Sequence, residues 1–311
     1  MNGIVEAIGK AFVNNEKTTI VPVGRLHSLR DEIDRFRSGE ELNGFQKWIV
    51  DNMYEFSPPD VGFPVESIIL IAVPHPLYAE VELTHRGRAY RVKSPVMSDF
   101  DSMENRLEGA LAPEGYRMAR AGNIPLKRLA VKSGLAEYGR NNICYVDGLG
   151  SNFSFAAYYS DCPCGEGSWK DVSVAPQCSD CNACLNSCPT GAIRGDRFLI
   201  DNERCLSFLN ESGDPFPEWL PKGVHHSVYD CLKCQVVCPM NGEQLENVAG
   251  PVHFTESETA QLMAKAPFEE FPESFRKKAM YLGLQQWPDG IAKNIKVLIE
   301  MSDRKNNFAC H

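Results

Sequence analysis

The sequence has no long apolar run. Its longest unbroken apolar stretch, Ile68 to Val73, is far short of the roughly 20 residues that a bilayer span requires, so no segment is expected to cross a membrane. No secretory leader is expected either, since the N-terminus shows neither a charged-then-apolar pattern nor a twin arginine and places Ile4, Ala7, Ile8, Ala11 and Phe12 on one helical face. The expected location is the cytoplasm. Positive charge is in deficit, with 32 Lys and Arg against 41 Asp and Glu and a formal net charge of −9. A phosphate surface needs a cationic face to displace its counterions, so no nucleic acid and no anionic membrane is expected as a partner. A dinucleotide fingerprint is missing as well. Gly148-Leu149-Gly150 is too short for one and introduces no helix, which leaves a turn.

What is present is an ordinary globular composition, with 311 residues, 43% hydrophobic and 23% charged, enough for one large domain or two modest ones. The chain changes character near residue 165. Before it, strand-like runs at 18–23, 68–73, 142–146 and 153–159 alternate with helical patterns around 26–38, 41–53 and 100–120. Tyr78 to Val96, with β-branched and aromatic residues on both sides of His85-Arg86-Gly87-Arg88, reads as a hairpin. These patterns predict an α/β or α+β domain over 1–165. A module rich in Cys, Pro, Asn and Ser follows over 166–245, and a helical extension with patterns at 256–266 and 291–302 fills 246–311. The only internal repeat is a cysteine motif.

Twelve cysteines in a reducing compartment are poor disulfide candidates, so their clustering reads as metal ligation. Cys178, Cys181, Cys184 and Cys188, followed by Pro189, form a C-x2-C-x2-C-x3-C-P run. Three thiolates at i, i+3 and i+6 let one loop wrap three irons of a cubane, and the fourth, before proline, ligates the other cluster. Downstream, Cys231, Cys234 and Cys238 before Pro239 repeat C-x2-C-x3-C-P, with Val228 where the leading cysteine would stand. Cys205 alone lies between the two motifs and is the natural replacement. The two-cluster rule then gives Cys178, Cys181, Cys184 and Cys238 on one [4Fe–4S] cluster and Cys188, Cys205, Cys231 and Cys234 on the other. Paired structural zinc sites are the alternative, but they lack the three-cysteine spacing followed by Cys-Pro.

Other candidates carry less. Cys162 and Cys164 flank one proline and could bind a metal or form a thiol-rich turn; Cys144 within a strand and Cys310 in the tail read as inert. His225-His226 suggests a metal pair, yet neighbours on a strand point to opposite faces, which favours a structural role. Arg117, Arg120, Lys127, Arg128, Lys132 and Arg140 stand against the single acid Glu137, as a solvated face or as a pocket wall for an anionic ligand.

The segment Leu129 to Asn141, with Gly134, Leu135 and Gly139, then the strands, the cluster run, Glu203-Arg204-Cys205 and Tyr229 to Pro239 together resemble the epoxyqueuosine reductase family, itself related to the reductive dehalogenases. The resemblance covers about residues 15–245. It implies an α+β protein whose N-terminal α/β domain is similar to the nitroreductase and cobalamin-processing fold, followed by a bacterial ferredoxin-like module. It also implies a corrinoid, such as cobalamin, beside the two clusters that feed it electrons. Two glycines permit close approach to a flat ligand, so Gly134, Lys132, Gly139, Arg140 and Asn141 are the expected contacts. The sequence departs from the family where an aspartate that donates a proton would lie in V-D-S-x-P; here Arg120 to Pro125 offers Asn123, which supplies no proton. Glu137 and Tyr138 are candidates for a substitute. The family's C-terminal tRNA-binding repeats have no room in the 66 residues after 245. The expectation is an iron–sulfur oxidoreductase that reduces a small-molecule substrate, with a ferredoxin or flavodoxin as electron donor. The alternative is a ferredoxin-like carrier serving a partner enzyme.

Overall fold

The computed structural model describes residues 2–39 and 42–309; Cys310 lies outside the described residues. Helix α1 (Asn2–Ala11), strand β1 (Lys17–Pro22), helices α2 (Arg25–Gly39) and α3 (Gly44–Asn52) and strand β2 (Ser67–Pro74) come first. The hairpin β3 (Tyr78–His85) and β4 (Arg88–Ser94) follows, then α4 (Phe100–Leu111), β5 (Met118–Arg120) and α5 (Leu126–Lys132). Next are the short pair β6 (Glu137–Tyr138) and β7 (Cys144–Tyr145), then β8 (Phe153–Ser160). Beyond these lie α6 (Ala183–Ser187), α7 (Leu206–Glu211), α8 (Lys233–Val236), β9 (Val248–Phe254), α9 (Glu256–Met263), α10 (Glu273–Tyr281) and α11 (Pro288–Ala309).

These elements form two compact units, one of Met1–His75 with Ser98–Asp180 and the other of Pro76–Met97 with Cys181–His311. The expected division at 165 and 245 is therefore corrected. The hairpin leaves the first unit in sequence and belongs to the second, together with the C-terminal extension.

In the first unit the sheet order is β1-β2-β8-β5, with every neighbouring pair antiparallel. Strand β2 is buried from Ser67 to Val73, which explains its unbroken apolar run: both faces are covered. On one face Ile69, Ile71, Val73 and Tyr158 meet Ile8 of α1 and Met103, Leu107 and Leu111 of α4, the last three spaced to share a helical face. The helix expected over 100–120 stops at Leu111. Pro113 lies in the 3-10 turn that follows, Gly115 takes φ 84, and the chain re-enters the sheet as β5. The strand expected at 142–146 shrinks to β7 because Asn142 is held at φ 60, outside extended space.

Glu32 of α2 joins this unit's helices electrostatically. It accepts a hydrogen bond from Arg128 Nε at 2.5 Å and pairs with Lys132, both cations being on α5. Lys132 is 5% exposed, with its ammonium 5.2 Å from the Trp169 ring centroid, a ring that Arg25 also faces. Lys132 was expected at the edge of a flat ligand. It is an interior cation held by Glu32.

In the second unit the sheet order is β4-β3-β9. The predicted hairpin forms, its turn made by Arg86 at φ 50 and Gly87 at φ 70, the left-handed pair that matches strand twist. Its buried Ala79, Val81 and Leu83 pack with Phe254, Phe271, Phe275, Leu282, Ile291 and Ile295. That shared apolar core makes the C-terminal extension part of this unit. Strand β9 runs parallel to β3 with a register shift, and its Gly250-Pro251 is tolerated at a sheet edge. Among the described residues no helix is long and apolar enough to cross a membrane.

Burial works to raise the Glu32 carboxyl, but the hydrogen bonds from Lys132 and Arg128 outweigh it and hold the group below its ordinary value. A depressed carboxylate contributes stability above its unfolded value, and that stability is lost as pH falls through the folded one. Glu32→Gln, which leaves two interior cations without their carboxylate, is expected to cost about 3–5 kcal/mol at pH 7 in urea unfolding. The deficit relative to wild type should shrink below pH 4. An unchanged urea midpoint at pH 7 contradicts this reading.

Candidate metal centre

From residue 163 to α6, and from Cys188 to Cys231, the backbone holds only isolated bridges, single turns and the six-residue α7. Such a chain leaves many N–H groups outside helix and sheet ladders. Several of them, at Thr190, Ala192, Ile193, Ser207 and Phe208, turn toward cysteine sulfurs. Cys178 closes a 3-10 turn that starts at Pro176, and its Sγ accepts the backbone N–H of Arg140 at 3.5 Å. The Arg140 guanidinium also donates to the carbonyls of Cys178, at 2.5 Å, and Ser179, at 3.3 Å. Arg140, expected at a cofactor's edge, is thereby tied to the first cysteine loop.

Cys188 sits at the C-terminal end of α6. Burial works to raise its thiol, but the backbone N–H groups of Ile193, Thr190 and Ala192 overcome that effect and hold it below the usual thiol value. The Thr190 hydroxyl lies 3.8 Å from its sulfur. Cys205 is the N-cap of α7; burial pushes it to about 11, against backbone N–H groups of Ser207 and Phe208. Cys231 is pushed to about 12 by burial, against the Lys233 N–H. The charge on Cys188 acts on Cys205, and the charges on Cys205 and Cys188 both act on Cys231. Three thiols far apart in sequence are thus electrostatic neighbours, each with N–H donors aimed at it. That donor set suits thiolates shared with a positively charged inorganic core. Among the described residues no three His, Cys, Asp or Glu converge as one mononuclear ion requires, and none of the described cysteines is in a disulfide.

The remaining expected residues have other surroundings. Tyr138 is buried, and burial followed by the neighbouring Cys144 charge raises its phenol pKa far above the usual value, so it is a poor acid. Glu137 is exposed on β6. The glycines do not face open space. A side chain at Gly134 would meet Lys170 and Ser168 at 3.5 Å, and one at Gly139 would meet Asn141 at 2.5 Å and Tyr145 at 2.6 Å. Asn141 donates to the Tyr145 hydroxyl at 2.9 Å, so this loop is packed by the protein's own side chains. The basic stretch is also committed. Arg117 binds Asp161, Arg120 binds Glu104 and Asp101, and Lys127 donates to Asn142, so these cations already have partners within the chain.

His225 is buried beside Asn210 and the Phe216 ring, and burial lowers it to about 4. His226 contacts the carbonyls of Val224 and Cys231; both histidines are structural. Cys144 and Cys162 are pushed by burial to about 12 and about 11, and Cys164 is raised likewise, as expected of unreactive thiols. Gly148 to Gly150 is a turn closed by the Val146–Gly150 bridge.

One group escapes sequence reasoning. Asn123, held at φ 56, donates from Nδ2 to Glu55 at 3.3 Å, and its carbonyl accepts the Glu55 N–H at 2.7 Å. A carboxylate absent from the 120–125 segment arrives from a loop about 70 residues earlier, and no local pattern announces it.

Residues 177–241 match the family model of the 4Fe-4S double cluster binding domain. In sequence the chain is 28% identical over 206 residues to the epoxyqueuosine reductase of Aliivibrio fischeri, covering 66% of this chain and 52% of the relative. The chain spans about half the length of the curated relatives it matches. The structure of epoxyqueuosine reductase from Bacillus subtilis, with a catalytic aspartate loop swung out of the active site, superimposes at TM-score 0.63 and 21% identity over 96% of this chain and 80% of that one. An epoxyqueuosine reductase solved with an epoxyqueuosine-modified tRNA stem loop does so at TM-score 0.61 and 20% identity over the same shares. That finding overturns the exclusion of nucleic acid in favour of a small-molecule substrate. Net charge sums the whole chain, whereas a phosphate backbone meets only a local field. The chain carries a 4Fe–4S double cluster binding domain, is similar in sequence to the epoxyqueuosine reductases and has their fold.

Proposed function

We propose that this chain is an iron–sulfur reductase that passes single electrons through two [4Fe–4S] clusters to a corrinoid and reduces a modified nucleoside carried on tRNA. Its relatives are named for that reduction, and one protein of the same fold was solved with a modified tRNA stem loop. The observation that carries the proposal is the gathering of Cys188, Cys205 and Cys231 with backbone N–H groups turned toward their sulfurs. With Cys234 they make the second cluster's ligand set. By spacing, Cys178, Cys181, Cys184 and Cys238 make the first.

A bound corrinoid would supply one-electron chemistry at cobalt. The loop from Gly134 to Asn141 does not fit as its bed, because Tyr145, Asn141, Lys170 and Ser168 fill the space over both glycines. We therefore derive no step through it from that loop. The residues of this chain handle the proton. We assign that role to Glu55, exposed like Glu137, rather than to Glu137 or buried Tyr138, because Glu55 reaches Asn123, next to Gly122 in the segment where the resemblance implies an acid. Asn123 orients the carboxylate with its amide.

The filled loop favours a second reading, a carrier that delivers electrons to a partner without catalysis. Protein made with cobalamin available, reduced with dithionite and mixed with epoxyqueuosine-containing tRNA separates the two. The proposal expects bound cobalt and conversion to queuosine, with Glu55→Gln lowering kcat about 100-fold or more while cobalt and iron content are retained. Absence of cobalt and of turnover, with rapid electron delivery to an added acceptor protein, establishes the carrier reading instead.

Ligation is tested separately. Cys205→Ala is expected to lose about half of the roughly eight irons that two such clusters hold, whereas Cys144→Ala keeps them all. Full iron in Cys205→Ala contradicts the assignment.

A further inference from the structure

On the second unit, α7 and the segment before Cys231 bring two carboxylates onto one hydroxyl. Ser207 Oγ lies 3.2 Å from Glu211 Oε1 and 2.6 Å from Asp230 Oδ1. A serine hydroxyl has one hydrogen, and an ionised carboxylate only accepts. That hydrogen serves Asp230, at the shorter distance, more fully than Glu211, and a full hydrogen bond between Glu211 and Oγ at the same time needs a proton on Glu211.

Asp230 Oδ1 also accepts the backbone N–H of Cys231 at 2.7 Å, and its backbone, at φ 56, is anchored by Asn210 Nδ2 donating to its carbonyl at 2.7 Å. Asp230 Oδ1 thus has two hydrogen-bond donors, the Ser207 hydroxyl and the Cys231 amide. Among the described residues no cation pairs with Glu211. Burial and then the Asp230 charge raise it to about 7, with Ser207 opposing.

The charged groups nearby have other partners. On α11, Lys293 gives its ammonium to the carbonyls of Leu209, Ser212 and Asp214, and Asp289 is paired with Lys265. On the turn before α7, Arg204 donates to the Thr190 carbonyl, and Glu203 is exposed. The Tyr229 phenol, raised by burial, then Asp230, then Glu211, donates to the Leu282 carbonyl. Hydrogen bonds therefore run without a gap from the Glu211 carboxyl to the Ser207 hydroxyl, to Asp230, to the amide of Cys231. The Ser207 amide itself turns toward the Cys205 sulfur.

We propose that Glu211, acting through Ser207 and Asp230, is a proton-binding site coupled to the cluster held by Cys188, Cys205, Cys231 and Cys234. Glu211 takes up one proton from solvent when one electron from an external one-electron donor is added to that cluster. The added negative charge is met by an added positive one. When the electron leaves, the proton returns to solvent. Glu211 touches neither the cluster nor a substrate, so it is a positioning residue for charge. The inference rests on the ligand set proposed above.

The test is a redox titration of the whole protein with its clusters in place, followed by electron paramagnetic resonance between pH 6 and 9 with dithionite as reductant. The second cluster's potential is expected to fall as pH rises above 7, by up to 59 mV for each tenfold loss of protons. It should become pH-independent in Glu211→Gln, and the first cluster should show no such dependence in either protein. Infrared difference spectra of wild type, reduced minus oxidised, supply a readout that needs no variant: a protonated carboxyl band gained on reduction at pH 8. A flat potential in wild type, a slope that survives in Glu211→Gln, or no carboxyl band change overturns the proposal. If Cys205→Ala retains both reduced-cluster signals, the ligand set fails, and the proposal with it.

Discussion

Backbone amides in irregular chain must find acceptors, and between residues 176 and 238 cysteine sulfur supplies many of them. The N–H groups of Thr190, Ala192 and Ile193 turn on Cys188, those of Ser207 and Phe208 on Cys205, and that of Lys233 on Cys231. In an ordinary loop such groups face water. Here several ligand cysteines are nearly buried, and an unpaired buried donor would cost about 1–3 kcal/mol. A thiolate accepts these N–H groups better than a thiol and ligation keeps the sulfur deprotonated, so the loops' hydrogen bonding and the binding of a cluster favour each other. Asp230 and Arg140 serve the same end. One steadies the amide of Cys231, and the other steadies the carbonyl of Cys178 while its own amide meets the sulfur.

The rest of each unit holds these loops in place. In the second unit an apolar core built from the hairpin, β9 and the three C-terminal helices includes Val228 and Tyr229, immediately before Asp230 and Cys231. Asn294 of α11 donates to the carbonyls of Asn210 and Val228, tying α7 and the segment before Cys231 to one helix. In the first unit the buried group of Glu32, Arg128 and Lys132 fixes α5, and α5 leads directly into the loop that ends at Arg140.

Where local chemistry decides, the sequence was legible. The cysteine spacing marked the module that the double-cluster family model covers, the His85 to Arg88 signal marked the hairpin, and the alternating runs marked β1, β2 and β8. What failed depended on distant partners. Lys132 and Arg140 read as cationic and free, but their partners, Glu32 and the Cys178 carbonyl, are far away in sequence. Two glycines read as allowing close approach of a flat ligand, yet Tyr145 fills the space at Gly139 and Lys170 lies in contact distance of Gly134. Glu55 could not be paired with Asn123, nor Glu211 with Asp230, from any local spacing. The net charge sums the whole chain and carries no information on the local field that a phosphate backbone meets. β9 was hidden by Gly250-Pro251, a pair that only an edge strand accommodates.

The central claim is that this chain holds two cubane clusters on eight cysteines, one of them Cys205. Mössbauer spectroscopy of iron-57 protein, purified without oxygen and paired with an iron and sulfide assay, tests it most directly. The account predicts about eight irons and eight sulfides per chain, all in the quadrupole doublets of diamagnetic [4Fe–4S]2+. About four irons per chain in fully loaded protein, or zinc in place of iron, would contradict it.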